Sequence, residues 1–261
     1  MNLTIVKVGG KVVEEPDSLA SLLDDFASLP GAKALVHGGG RSATKLSEKL
    51  GIQSVMIEGR RVTDAETLRV VTMVYAGLVN KNVVAQLQAR HLNAIGLTGA
   101  DLNVIRSDRR APKKMSDGQL VDFGFVGDVR EVHTDVLASL IEQGATPVLS
   151  PITHDGQGNL LNTNADTIAS ELARAMSAIA TVKLVFCFEK PGVLLNPDDD
   201  TTLIPILDYD TFKQYQSSGI VAAGMIPKLD NGFDALRNGV SSVVITNVQG
   251  LKTGLGTTLR L

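Results

Sequence analysis

A chain of 261 residues with 25 Lys and Arg against 28 Asp and Glu, a formal net charge of −3, lacks the basic footprint of a general nucleic-acid binder, and 4% aromatics with no Trp speak against base-stacking platforms. The single cysteine, Cys187, excludes an intrachain disulfide framework and a Cys-rich zinc module, and no apolar run reaches the ~18 residues of a membrane span. This length suits one large domain or two lobes, and the start MNLTIVKVGG reads as a strand and turn rather than a signal peptide, so a soluble cytoplasmic protein is expected.

In chain order, short apolar runs alternate with helical periods. Leu3–Val8 reads as a strand ending in Lys7-Val8-Gly9-Gly10-Lys11. Leu19, Leu22, Leu23 and Phe26 then follow the i, i+3, i+4, i+7 spacing of an amphipathic helix. Ala34–His37 is the second strand, and His37-Gly38-Gly39-Gly40 runs into a helix expected over Ser42–Leu50. A strand at Ser54–Ile57 precedes Arg61-Val62-Thr63-Asp64, which opens a long helical stretch from about Ala65 to Arg90. Ala94–Leu97 and Val148–Ile152 are further strands. Between them the basic segment Arg106–Lys114 reads as an exposed hairpin or loop, and Val136, Leu137, Leu140 and Ile141 form a helical stripe with Thr134 as N-cap and Gly144 as its stop. Asn162-Thr163-Asn164-Ala165-Asp166 leads into a helix marked by Ile168, Leu172, Ala175 and Ile179. Val182–Phe188, with Cys187 as a buried core thiol, and Ser242–Thr246 complete the strands, and Gly224-Met225-Ile226-Pro227-Lys228 opens a helix with proline in its first turn. Several strands are apolar throughout, as in a parallel sheet covered on both faces, so the fold class is α/β. The polar loop Pro151–Asn164 divides an N-terminal lobe (about 1–160) from a C-terminal one (about 161–261).

The chemistry clusters at the strand ends. Glycines there let backbone N–H groups approach an anion, and Lys7 beside the first pair meets such a charge. Two such loops on neighbouring strands suit a phosphoryl group in transfer, whereas neither a Walker A loop nor G-x-G-x-x-G is present. Arg61 either grips a carboxylate bidentately or forms a surface ion pair. Asn162, Asn164 and Asp166 alternate by two, so they either line one side of an extended entry or cap the following helix. Lys228, a cation at a helix N-terminus, is unfavourable unless an anion is close; otherwise it is a solvated lysine. His37, His91, His133 and His154 show no zinc-ligand spacing, and no Ser-His-Asp or G-x-S-x-G arrangement occurs.

Taken in order, VKVGGK, HGGG, GRRVTD, NTNAD and GMIPK resemble the motifs of the amino acid kinase superfamily, and within it the N-acylglutamate kinases, over almost the whole chain. The resemblance implies an αβα sandwich around a mainly parallel, roughly eight-stranded sheet. It implies ATP-dependent phosphorylation of the side-chain carboxylate of an N-acylglutamate, an early step of arginine synthesis, with N-acetylglutamate the expected acceptor and N-succinylglutamate an alternative. By it, Lys7 and Lys228 stabilise the transition state and Asp166 holds both lysines. Gly9, Gly10 and Gly39 give N–H groups to the phosphoryl; Gly39, Gly40, Arg61, Asn162 and Asn164 bind the acylglutamate. Glu189, Lys190, Gly192, Val193, Leu194, Ile220, Val221 and Ala222 surround the ATP, and Mg²⁺ rides mainly on its phosphates. Two departures fall near the nucleotide: Phe188-Glu189-Lys190-Pro191 stands where the family often has Ser/Thr-Asp, and Ala222-Ala223 where it often has Asp or Gly. Arg60, beside Arg61, either meets the second carboxylate of a succinyl group or faces solvent. The arginine-inhibited hexamers of this family carry an N-terminal helix before the first strand, and only Met1-Asn2 precede Leu3, so an arginine-insensitive homodimer joined along Ala65–Arg90 is expected. Competing readings are a kinase for carrier-linked aminoadipate, a non-catalytic amino-acid sensor of the same fold, and a nicotinamide-dependent dehydrogenase, which the missing G-x-G-x-x-G disfavours.

Overall fold

The computed structural model describes residues 1–57, 59–115, 118–221 and 224–261. Its centre is one sheet of eight strands: β1 (Asn2–Val8), β2 (Ala32–His37), β3 (Ala94–Leu97), β4 (Thr146–Leu149), β5 (Thr181–Phe188), β6 (Ile206–Asp208), β7 (Ser242–Asn247) and β8 (Thr257–Arg260), in the spatial order β6-β8-β7-β5-β1-β2-β4-β3. Six strands are parallel, and the antiparallel pairing of β7 with β8 reverses β8 and its parallel partner β6. This is the mainly parallel αβα sandwich the sequence implies.

Period-two alternation along β1 assigns the layers. Leu3 and Ile5 enter the core with Ile168, Leu172, Met176, Leu229 and Phe233, from helices Ala165–Met176 and Ile226–Arg237. Val6 and Val8 enter the opposite core with Leu19, Leu22, Leu23 and Phe26 of helix Pro16–Ser28, and with Val70, Val83 and Leu87 of the stretch from Ala65 to Gln88. The same alternation carries Lys7 to the Leu3 and Ile5 side, under the helix that holds Asp166. Register then aligns the strand ends, with Val8 opposite Cys187 of β5 and His37 of β2. Loops leaving β1, β2 and β5 therefore emerge together at the carboxyl edge, where open α/β sheets bind ligands.

Several local expectations change. Ser54–Ile57 contributes only Met56–Ile57, paired antiparallel with Arg60–Arg61 in a hairpin outside the main sheet, with Val55 and Met56 about half exposed rather than buried between layers. Val148–Ile152 breaks around Pro151 into β4 and a separate strand, Ile152–His154. Helix Thr134–Glu142 starts one residue early: His133 is its N-cap and Thr134 its first residue, and Gly144 follows it at φ 82°. The helix after β2 begins at Gly40, and Ile179, half exposed, lies beyond the helix ending at Met176. The long stretch is interrupted by a π-helical segment, Met73–Val79. A second sheet of Ile105–Arg109, Gly127–Val132, Ile152–His154 and Leu160–Asn162 takes in part of the Arg106–Lys114 segment expected as a hairpin or loop, was not expected as a sheet, and delivers Asn162 to the cleft. Among the described residues no helix is long and apolar enough to cross a membrane.

His37 is fully buried at the end of β2, on the face that carries Leu35 and meets Asn80. Burial, aided by the nearby charge of Lys81, holds its pKa down to about 4 against the opposing pull of the Gly38 carbonyl. The unfolded chain, with an ordinary histidine near 6.5, binds the proton more readily than the native state between these values. The contribution to stability is therefore complete above pH 6.5 and is lost as pH falls toward 4, by about 3 kcal/mol in all. Denaturant titrations at pH 7.5 and 4.5 are expected to show a much smaller acid-side loss in His37→Asn than in the native protein.

Candidate active site

Backbone hydrogen bonds tie the two glycine loops to the ends of the sheet strands. The Gly9 N–H donates to the Cys187 carbonyl at 2.9 Å and the Gly38 N–H to the Val8 carbonyl at 3.2 Å. Gly9 and Gly39 are the N-caps of helices Gly10–Glu14 and Gly40–Lys49, and neither has a side chain to cover the first-turn N–H groups. The loops pack backbone to backbone: a Cβ on Gly10 would lie 3.5 Å from the Gly39 nitrogen and 3.7 Å from that of Gly40. Gly39 sits at φ 156°, where a Cβ would also come within 2.9 Å of the Tyr75 ring, so glycine is required there.

Beneath the loops lies a charge cluster. The Lys7 Nζ is 2.8 Å from Asp166 Oδ1, and the Lys228 Nζ is 3.4 Å from Asp166 Oδ2. Burial alone would raise the Asp166 pKa, but the two lysine charges outweigh it and hold the carboxyl below its ordinary value. The chain is extended through Asn162 and Asn164, which line one cavity, but Asp166 is not part of that extended run. Asn164 is an N-cap, its side chain accepting from the N–H groups of Asp166 (2.8 Å) and Thr167 (3.1 Å), and Asp166 lies in the first helical turn. The turn swings Asp166 down onto Lys7. Lys228 occupies the first turn of its helix after Pro227, so Asp166 supplies the anion that its position requires.

Arg61 closes the other end. Its guanidinium donates to Ser54 Oγ (2.8 Å), the Gly40 carbonyl (3.0 Å) and Thr44 Oγ1 (2.8 Å). These three oxygens are neutral, so they orient the guanidinium without cancelling its charge. The Asn162 amide is likewise fixed, donating to Thr63 Oγ1 at 3.0 Å.

Three cavities follow one another along this edge. The first, about 210 Å³, is lined by Gly39, Gly40, Arg61, Asn162 and Asn164. The second, about 420 Å³, holds Lys7, Gly9 and Gly10, shares Gly40 and Arg61 with the first, and shares Glu189 and Lys228 with the third. The third, about 300 Å³, is walled by Glu189, Lys190, Gly192, Val193, Leu194, Ile220 and Val221. Ala222, expected in this wall, lies outside the described residues. Tyr75 and Arg110 also line the first cavity and were missed in the sequence. Tyr75 sits in the π-helical segment, and Arg110 follows an unpredicted strand with its charge paired to Asp128. Among the described residues no group of three or more His, Cys, Asp or Glu is placed to hold a metal ion.

The model of the amino acid kinase family matches residues 2–247. The chain is 58% identical over 258 residues to the acetylglutamate kinase of Bacteroides thetaiotaomicron, covering 99% of this chain and 98% of that protein. It is 40% identical over 258 residues to the acetylglutamate kinase of Methanopyrus kandleri, covering 99% and 100%. Among solved structures it is similar to smu.665 from Streptococcus mutans UA159, with a TM-score of 0.79, 25% identity and 98% of each chain covered. The fold is shared with a carbamate kinase from Giardia, with a TM-score of 0.69, 12% identity and 98% of each chain covered.

Proposed function

The chain belongs to the amino acid kinase family, and from that premise we propose that it transfers the γ-phosphoryl group of ATP to the side-chain carboxylate of an N-acyl-L-glutamate, the acyl-phosphate-forming step of arginine biosynthesis. One observation carries this reading: a cavity built to orient a small anion and a cavity with an apolar wall open onto the same central cleft, where two lysines flank one carboxylate. The acceptor lies in the first cavity with its α-carboxylate on Arg61. The adenine lies against Val193, Leu194, Ile220 and Val221.

A γ-carboxylate oxygen attacks the γ-phosphorus, the bond from that phosphorus to the β,γ-bridging oxygen breaks, and ADP leaves with the electron pair. The acceptor is already ionised at neutral pH, so no base is needed. The work is positioning and charge neutralisation. Lys7, next to the first glycine loop, faces the moving phosphoryl and the attacking end; Lys228, on the nucleotide side, faces the β-phosphate. Asp166 keeps two mutually repelling cations in place. The N–H groups of Gly9, Gly10 and Gly39 receive the phosphoryl oxygens. A Mg²⁺ ion would be held mainly by the nucleotide phosphates and would supply further charge neutralisation there, Asp166 being engaged by both lysines. The protein works in the cytoplasm as a homodimer, with the exposed Met73 and Leu78 of the long helical stretch in the contact; light scattering at twice the 27.6 kDa chain mass is the expected result.

A second reading of the acyl group, succinyl instead of acetyl, is favoured by Arg60 on the wall of the first cavity beside Arg61. An ATP-dependent hydroxamate assay with N-acetylglutamate, N-succinylglutamate and free glutamate tests both. Turnover of an acylated substrate and none of free glutamate is expected; failure with both acylated substrates rejects the proposal. For a succinyl acceptor, Arg60→Ala is expected to raise the KM for N-succinylglutamate about tenfold and leave that for N-acetylglutamate unchanged. Equal effects on the two would remove the second reading.

A further inference from the structure

His37 is buried beside the site, yet the reaction as described makes no use of it. Its surroundings determine its tautomer step by step. Lys81 donates from Nζ to Asn80 Oδ1 at 3.2 Å and to the Gly96 carbonyl at 3.1 Å. An ammonium can only donate, so the Asn80 amide oxygen faces Lys81. The Asn80 Nδ2 then faces the Val148 carbonyl at 2.9 Å and His37 Nε2 at 3.1 Å. Val148 O can only accept and Asn80 Nδ2 can only donate, so Nε2 is the bare nitrogen and the ring proton is on Nδ1. Nδ1 lies 2.7 Å from the Gly38 carbonyl, which it serves as donor. Asn80 is as buried as His37, and Gly96 leaves room for this arrangement: a Cβ there would lie 1.9 Å from Asn80 Oδ1.

The Gly38 carbonyl and the Gly39 N–H belong to one planar trans peptide and point in opposite directions. Fixing the carbonyl therefore fixes the N–H. The Gly39 nitrogen faces the Gly10 loop across the cleft. Two glycines in sequence leave this peptide unusually free to rotate, so an external clamp has something to hold.

We propose that His37 is a positioning residue for phosphoryl transfer: held by Asn80 as the Nδ1–H tautomer, it pins the Gly38 carbonyl and thereby aims the Gly39 N–H at the moving phosphoryl group. The inference rests on the reading above in which that N–H receives a phosphoryl oxygen. It separates His37 from a core residue that merely fills space, because only one ring nitrogen carries the effect.

Two substitutions separate the nitrogens. Asparagine places its amide nitrogen near the position of Nδ1, whereas glutamine reaches the Nε2 position, keeps a polar contact with Asn80 and leaves the Gly38 carbonyl without its donor. His37→Asn is expected to keep kcat within about threefold. His37→Gln is expected to lose kcat tenfold or more, with the KM values for ATP and acceptor nearly unchanged, since a displaced donor is felt most in the transition state. Thermal midpoints of the two variants are compared alongside. Equal kcat losses, or a change confined to KM, would overturn the proposal. Nitrogen NMR of the imidazole in the unaltered protein gives a test that does not depend on either variant folding: an Nδ1–H, bare Nε2 ring is expected, and the opposite tautomer would overturn the proposal by itself. Absence of turnover in the unaltered protein would instead reject the reading of the site, and the inference with it.

Discussion

Lys7→Ala is expected to lower kcat by about two to three orders of magnitude while moving the KM of either substrate only a few-fold. The reason is where the charge sits. The transferring phosphoryl gains its demand for a cation as the bond to ADP breaks, and the loss of one preorganised donor of this kind costs ~10²–10³ in turnover. Lys7 is buried and anchored 2.8 Å from Asp166, so it makes no reorganisation at the moment of reaction. Lys228→Ala is expected to lower kcat as well and to weaken ATP modestly, because its cavity continues into the one proposed for the nucleotide. Asp166→Asn removes the carboxylate between two cations, which then repel and turn away. The three residues form one unit, so their effects are not independent. Asp166→Asn introduced into a Lys7→Ala background should cost far less than in the native protein. Steady-state kinetics on the two single variants and the double variant check this; additive losses would break up the shared cluster.

Arg61→Ala is expected to raise the KM for the acylglutamate ten- to a hundredfold and to leave that for ATP within about twofold, since a charge-assisted contact is worth ~1.5–3 kcal/mol. The specificity of this effect comes from the partners of Arg61. One terminal nitrogen is held by Ser54 and the other by Gly40 and Thr44, which presents the guanidinium in one orientation. Arg61→Lys should therefore recover little of the loss, because an ammonium cannot hold these oxygens and a carboxylate together. An unchanged acylglutamate KM in Arg61→Ala would place Arg61 outside the acceptor site.

The sequence was most legible where chemistry and local structure coincide. Gly9, Gly10, Gly39 and Gly40 follow apolar strands, and Pro227 and Asn164 mark helix starts, so the loops carrying Lys7, Asp166 and Lys228 could be placed on elements before the fold was known. Apolar runs in β1, β2, β5 and β7 identified the buried centre of the sheet. The small second sheet was not legible, because strands such as Ile105–Arg109 are short and half charged, with pairing supplied by partners distant in the chain. Tyr75 and Arg110 were missed for a related reason. Tyr75 looks like any apolar position of an amphipathic helix, and only the packing of that segment against Gly39 puts it at the site. Of the two local readings of Asn162, Asn164 and Asp166, the start of a helix holds for Asp166, whose turn brings it to Lys7. The clamp on the Gly38 peptide joins β2, a helix more than forty residues later and β4, a contact that no local pattern encodes.

In the proposed reaction a carboxylate oxygen of the acceptor becomes bonded to the γ-phosphorus of ATP in the cleft between Lys7 and Lys228. Isotope transfer tests it most directly. An N-acylglutamate labelled with ¹⁸O in both γ-carboxylate oxygens is incubated with ATP, Mg²⁺ and hydroxylamine. Hydroxylamine attacks the acyl carbon, so the bridging oxygen leaves with phosphate. The expected product is inorganic phosphate carrying one ¹⁸O for each hydroxamate formed, with neither appearing in Lys7→Ala on the same timescale. Phosphate without label, or released at the same rate when the acceptor is omitted, would contradict it.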